Sequence, residues 1–452
     1  METNNKELFE SMPVPKAVIS LIIPTVISQI ITVIYNMADT FFIGQMNNPN
    51  QVAAATLSMP PFVTLTGIAN LFGIGGASLI SRSLGLKNKE NARRSASFSI
   101  WASAIITLIY GIVLFLFRPV ILPWLGADAN TYNYCSDYVF WTTTIGGIPT
   151  VWNACLAHLV RAEGYSKEAS FGVALGGVMN IILDPILIFS CHLGVTGAAI
   201  ATMISNVIAT LYFMSLLYKN KNSTLISFSP KYFKLDKYIS KEIILVGIPS
   251  FIMIMMATAA NLVLNKAVVA YSNESIAGVG IAKKIDSLAY AIGNGMTQGV
   301  LPLIGYTYAA NNYDRMKESI KVSFIYSTVV SIITTIILFF GAVPIVQFFI
   351  DDVETVTYGQ HFLRIISLIS PATSIAMIII TIFQATGLKT KPMALSLIQR
   401  GMDIPLIYIM NTLAGINGIP WSTLIAAYLV MILAAGLFVP YWKQFKDMIK
   451  ES

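Results

Sequence analysis

Apolar stretches long enough to cross a bilayer as helices recur along the whole chain, joined by short polar segments. Backbone amides cannot be left unpaired in hydrocarbon, so only helices or a closed barrel can span it, and unbroken apolar runs of this length select helices. Twelve spans are expected, at residues 17–44, 52–81, 93–118, 133–160, 168–191, 195–218, 242–269, 276–306, 318–343, 356–385, 392–413 and 419–441. Several are longer than the bilayer requires, which implies tilt or emergence from it. With 55% hydrophobic and 11% charged residues among 452, and a mean hydropathy of +0.69, the fold class is an all-α membrane protein.

Lysine and arginine are distributed unevenly between the connections. Alternate loops and the two ends hold 23 of the 29, from Lys6 and Lys16 through the group Arg82, Lys87, Lys89, Arg93 and Arg94, the pair Arg161 and Lys167, and on to Lys443, Lys446 and Lys450. That side is cytoplasmic by the positive-inside rule, and both termini fall on it. The first sixteen residues lack a basic segment followed by an apolar one and a cleavage site, so no cleaved signal is expected. The net charge of +7 is accounted for by this bias and by anionic membrane lipids, with no nucleic-acid partner. Cys135, Cys155 and Cys191 have no C-x-x-C spacing; only Cys135 and Cys191, near the outer face, are placed for a disulfide, and none is expected.

The longest basic connection separates six spans from six. It sets an N-terminal lobe at 1–218, an inter-lobe linker at 219–241 and a C-terminal lobe at 242–452. At an offset near 223 residues the halves are weakly alike: Ile23-Pro24-Thr25 faces Ile248-Pro249-Ser250, Arg161-Ala-Glu-Gly164 faces Gln384-Ala-Thr-Gly387, and Gly194-Val-Thr-Gly197 faces Gly415-Ile-Asn-Gly418. Six spans return the chain to its starting side, so the halves form two parallel, pseudo-symmetric six-helix bundles. A cavity between such lobes suits a rocking transporter. The alternative is a duplicated scaffold without transport.

Residues 178–189 place Asn180, Asp184 and Pro185 within one of the spans. An ionisable group at that depth is costly and marks a functional site facing protein or water. Asn180 and Asp184 are four apart and share a helix face, while Pro185 has no amide to offer the carbonyl of Ile181. At about 1.5 Å per residue, Asp39 and Asp184 lie roughly 9 Å beneath the outer loops and Thr202 about 12 Å, with Asn180 one turn deeper than Asp184. The four converge at similar depth, as a proton or small-cation site would require. Asn180 and Thr202 could instead simply bond neighbouring helices.

Two further acids, Asp286 and Asp403, have Lys283, Lys284 and Arg400 close by and read as self-neutralising pairs that hold helices together, with a part in transport as the lesser alternative. Pro24, Pro249 and Pro371 are candidate bends, Pro24 sharing its helix with Asp39. Tyr35, Met253, Met255, Met256, Tyr290, Trp101 and Trp141 are candidate cavity-lining side chains, although for any one of them ordinary helix packing is the better reading. There is no phosphate-binding G-x-x-x-x-G-K-[ST], no H-E-x-x-H and no G-x-S-x-G. An enzyme of the common classes and direct use of ATP are therefore not expected.

The run from Pro24 to Asp39-Thr-Phe-Phe-Ile-Gly44, the turn Arg161-Ala-Glu-Gly164, and the segments Asn180-Ile-Ile-Leu-Asp184-Pro185 and Gly197-Ala-Ala-Ile-Ala-Thr202 together resemble the multidrug and toxic compound extrusion (MATE) family over essentially the whole chain. The resemblance is to the branch with its cation site in the N-terminal lobe. It implies a coupling site at Asp39, Asn180, Asp184 and Thr202, conformational roles for Pro24 and Pro185, and no cofactor. The implied activity is export of amphipathic, often cationic compounds against an inward H+ or Na+ gradient, in a cell membrane and, in a bacterium, the inner one. Were sodium the coupling ion, the same four residues would ligate it. The wider superfamily also holds lipid and lipid-linked sugar flippases, which together with a non-coupled pathway form the alternative reading.

Overall fold

A computed structural model describes residues 7–46, 48–269 and 271–451, without the side chains of residues 269, 273, 400 and 445–451. Among the described residues twelve spans follow one another: α1 (Val14–Gly44), α2 (Pro49–Gly85), α3 (Lys89–Trp124), α4 (132–162), α5 (Ser166–Ser190) and α6 (Gly194–Lys219) in one half. The other half holds α7 (Lys237–Val269), α8 (Asn273–Ala309), α9 (Tyr313–Phe340), α10 (Val353–Ala385), α11 (Thr390–Ala414) and α12 (Ile419–Glu451). Nine stretches among the described residues are long and apolar enough to cross a membrane, one of them running through α11 and α12. α4 and α8 are not among these: α4 is broken into pieces, and α8 carries Glu274, Lys283, Lys284 and Asp286.

Three spans expected to be single helices are interrupted. α2 breaks at Ser58, α4 at Gly146 and α10 at Leu368. In each case a proline follows within three residues (Pro60, Pro149, Pro371) and sits in the first turn of the next segment, where its missing N–H has no helical partner to lose. Pro371 therefore starts a helix and does not bend one. Pro24 and Pro249 lie inside α1 and α7, which continue through them. α3 likewise continues past the expected end, through Pro119 and Pro123, to Trp124.

The repeat is visible in the backbone. Lys87 and Asn311 take φ of 58° and 56°, Gly164 and Gly387 of 93° and 78°, and Gly194 and Gly415 of 57° and 59°. Each pair lies 221–224 residues apart and closes a helix or opens the next one in the corresponding place. Asn88 and Asn312 then cap α3 and α9 in the same way, accepting from the backbone N–H three residues on at 3.0 and 3.2 Å.

The halves meet chiefly toward the Lys/Arg-rich side. A Cβ built on Gly247 of α7 would stand 1.9 Å from the Leu71 carbonyl oxygen of α2, and one on Gly75 would stand 2.1 Å from that of Ile243. Only glycine permits this approach. α1 and α8 meet similarly at Gly295 and Gly299, and one apolar core of buried residues runs across the seam through Leu21, Phe72, Ile243, Leu303 and Ile382. At the basic surface Glu242 of α7 accepts from Arg82 of α2 at 3.1 Å and also from Lys389. Arg315 donates to the carbonyls of Phe9 and Leu8 at 2.6 and 2.9 Å, fixing the entry of the chain to the second half.

The segment between α6 and α7 is docked and not free. Trp101 donates to the Phe228 carbonyl at 3.2 Å, and Phe233 stacks on Phe98. Glu163 holds its start by accepting from Thr224 at 2.5 Å and from the Leu225 amide at 2.7 Å. Burial pushes this carboxyl up to about 7. All three cysteines are free, with Cys135 and Cys155 buried and Cys191 exposed just beyond α5. An impermeant maleimide applied to the non-basic face should label the protein once, at Cys191, and labelling should vanish in Cys191→Ala. Labelling from the basic face would contradict the orientation.

Candidate functional site

The site is built where α5 changes its winding. Asn180 and Asp184 are buried on one face of that helix, and Pro185 ends its α-helical part. With no N–H at Pro185 the helix widens into a π turn over Ile186–Ser190, closed by the Cys191 amide on the Ile186 carbonyl at 2.9 Å. α4 has a second π turn at Phe140–Ile145, starting two residues after the buried Tyr138.

Asn180 joins two helices. Its amide donates to Asp184 Oδ1 at 3.2 Å and to Thr202 Oγ1 of α6 at 3.4 Å. The polar thread continues from there: Asn206 donates to the Thr202 carbonyl at 2.9 Å, and Asn153 of α4 donates to Asn206 Oδ1 at 2.9 Å. Asp39 of α1 is buried within electrostatic reach of Asp184, and Tyr35 and Tyr138 lie within reach of both acids. Three buried oxygens in this cluster, Asp39 Oδ1, Asp184 Oδ2 and Asn180 Oδ1, accept no hydrogen bond. Hard oxygens without donors are what a proton or a small cation satisfies. Among the described residues no group of three or more His, Cys, Asp or Glu stands together as a transition-metal site would require.

A cavity of about 170 Å³ runs along this cluster, its walls including Gln29, Tyr35, Asn153, Arg161, Asn180 and Thr202. A Cβ on Gly177 would stand 2.8 Å from the Tyr35 ring, so α5 offers bare backbone for Tyr35 to pack on. A smaller cavity of about 40 Å³ adjoins it toward the second half, with Met253 on its wall and His158 and Arg161 shared between the two.

The structure thus brings Asp39, Asn180, Asp184 and Thr202 into one cluster beside Tyr35, with Pro185 at its edge. Met256 and Tyr290 line neither cavity: Met256 stands near Gly401 of α11, and Tyr290 is 37% exposed. Lys283 donates to Asn261 of α7, a contact between helices. Asp403 is buried, and the side chain of Arg400 lies outside the described residues.

Sequence reasoning missed Tyr138, Asn153, Asn206 and Arg161. Asn153, Ala157 and Arg161 repeat at four-residue spacing on α4 and could have been read as one face. Arg161 counts as a loop cation by position, yet it is 2% exposed. Likewise Arg82, grouped with the loop cations, is held at the seam between the halves.

Two six-helix halves around a polar cavity define a multi-pass membrane transporter, and the comparisons agree. The MatE family profile matches residues 24–186 and 249–409, one stretch in each half, and the chain belongs to this family. "Multidrug export protein MepA" of Staphylococcus haemolyticus (strain JCSC1435) is 34% identical over 436 residues, covering 96% of this chain and 94% of the relative. The protein of the same name from Staphylococcus aureus (strain MSSA476) is 34% identical over 431 residues, 95% and 94% of the two chains. Among solved structures, a MATE protein in the straight conformation superposes with a TM-score of 0.91 at 23% identity, covering 99% of this chain and all of the other. An outward-facing multidrug resistance MATE transporter gives 0.89 at 24%, with the same coverage. These relatives are transport proteins, not enzymes.

Proposed function

We propose that this protein is an antiporter that exports amphipathic, often cationic organic compounds from the cytoplasm in exchange for an inward-moving proton or sodium ion. The observation that carries the reading is the cluster of unpartnered buried oxygens on Asp39, Asp184 and Asn180 beside the cavity. Asp39 and Asp184 bind the coupling ion, with Asn180 and Thr202 as neutral donors. An ion there cancels one negative charge of the pair and weakens the attraction for a cationic substrate, so ion and substrate occupy the lobe in turn. Residues 1–218 and 242–452 act as the moving lobes, with 219–241 linking them. Pro24 and Pro185 lie where α1 and α5 adjust, and the glycine seam forms the closure on the cytoplasmic side. That the multidrug export proteins share a third of this sequence over nearly its whole length supports the substrate class.

The test is efflux of a fluorescent organic cation from proteoliposomes under an imposed ΔpH or sodium gradient. One of the two gradients should drive uphill movement. Flux indifferent to both favours a flippase-like or non-coupled pathway and overturns the proposal.

A further inference from the structure

The cavity has a second pole that the coupling reading leaves unused. Arg161 stands in the last turn of α4, 2% exposed and on the wall of both cavities. A guanidinium offers five N–H donors. Among the described residues its side chain makes one hydrogen bond, from Nη1 to Gln298 Oε1 at 3.4 Å, its Nε has no partner, and no carboxylate pairs with it. Gln298 is itself shared, accepting from Gln29 at 3.3 Å. A buried cation so poorly satisfied is costly unless something else completes it. His158, one turn away, bonds through Nε2 to the neutral Asn70 at 3.2 Å and supplies no negative charge.

We infer that the basic-side end of the cavity is a carboxylate subsite built on Arg161 with Gln298 beside it, so that the preferred substrates are amphipathic cations that also carry a carboxylate. The inference rests on the export function proposed above and names the substrate class for it. The planar fork of arginine pairs with both carboxylate oxygens at once, and the burial of Arg161 with no resident acid beside it strengthens that pair. Asn180 and Arg161 lie about 20 Å apart along the helix axes, counted from the turn between α4 and α5. The arginine side chain covers part of that span. An elongated zwitterion therefore meets the acidic cluster with its cationic group and Arg161 with its carboxylate, whereas a simple cation meets only the first.

The probes are a rhodamine with a free carboxylate and its ethyl ester, which share ring system and positive charge. In gradient-loaded proteoliposomes the ratio of acid to ester efflux should fall about tenfold or more in Arg161→Gln, while Arg161→Lys, which keeps the charge and loses the fork, should fall between Arg161→Gln and the wild type. In the wild-type protein, binding of the acid should be about tenfold tighter than that of the ester, a comparison that decides the matter even if Arg161→Gln fails to insert. An unchanged efflux ratio in folded Arg161→Gln, or equal wild-type affinities, overturns the subsite. Ester efflux that ignores every gradient, with tighter acid binding intact, would instead count against the coupling and uphold the subsite.

Discussion

Asp184→Asn should insert and fold normally and lose gradient-driven export. The substitution keeps the shape of the side chain and an oxygen for the Asn180 amide to bond at position 184, where Oδ1 now accepts at 3.2 Å. What disappears is a fully buried charge whose second oxygen has no partner. Replacing such a group by its neutral isostere rarely costs stability, so the melting temperature should hold or rise slightly. A charge-assisted contact between the carboxylate and its ion is worth up to about 3 kcal/mol, so export of an organic cation should fall by a factor on the order of a hundred. Asp39→Asn should behave alike. Thr202→Ala should do less, because it removes a neutral oxygen and leaves both charges. Efflux is measured with size-exclusion profiles of the purified variants alongside. Wild-type export by both folded aspartate variants would remove this cluster from the mechanism.

The second large effect lies at the seam. In Gly247→Val the new Cβ would stand 1.9 Å from a backbone oxygen, that of Leu71, which no side-chain rotation can move. Overpacking at such a contact costs about 1–3 kcal/mol, enough to shift the balance between closed and open seams by roughly five- to 150-fold. The protein should populate a state open toward the basic side. In a background without Cys135, Cys155 and Cys191, a cysteine placed at Ser250, on the wall of the smaller cavity, should become reactive from that side in Gly247→Val and stay protected with Gly247. Equal protection in both folded proteins would mean that the halves do not separate at this seam.

The twelve spans and the two-fold repeat were legible because hydropathy at membrane length and six-span periodicity leave few alternatives. The convergence of Asn180, Asp184 and Thr202 was legible too, since depth along a helix follows from residue count once the ends are known. The interruptions were not. Pro60, Pro149 and Pro371 sit in apolar runs just as Pro24 and Pro249 do, yet the first three start new segments and the last two lie inside unbroken helices. Local sequence does not carry the packing that decides between these outcomes. The π turns of α4 and α5 escaped for the same reason. Arg161 was obscured by position, because a basic residue at the end of a span reads as a loop cation until its neighbours show it enclosed. Met256 and Tyr290 were chosen for their chemistry alone, and residue type does not fix which helix face meets the cavity.

Exchange at the acidic cluster is tested most directly by running it backward. Proteoliposomes loaded with an organic cation and diluted into medium without it, with no ion gradient imposed, should take up protons or sodium ions as the substrate leaves. The ion uptake should vanish in Asp184→Asn. Substrate leaving the wild-type protein with no accompanying movement of either ion, or ion uptake that survives in Asp184→Asn, would contradict coupling at this site.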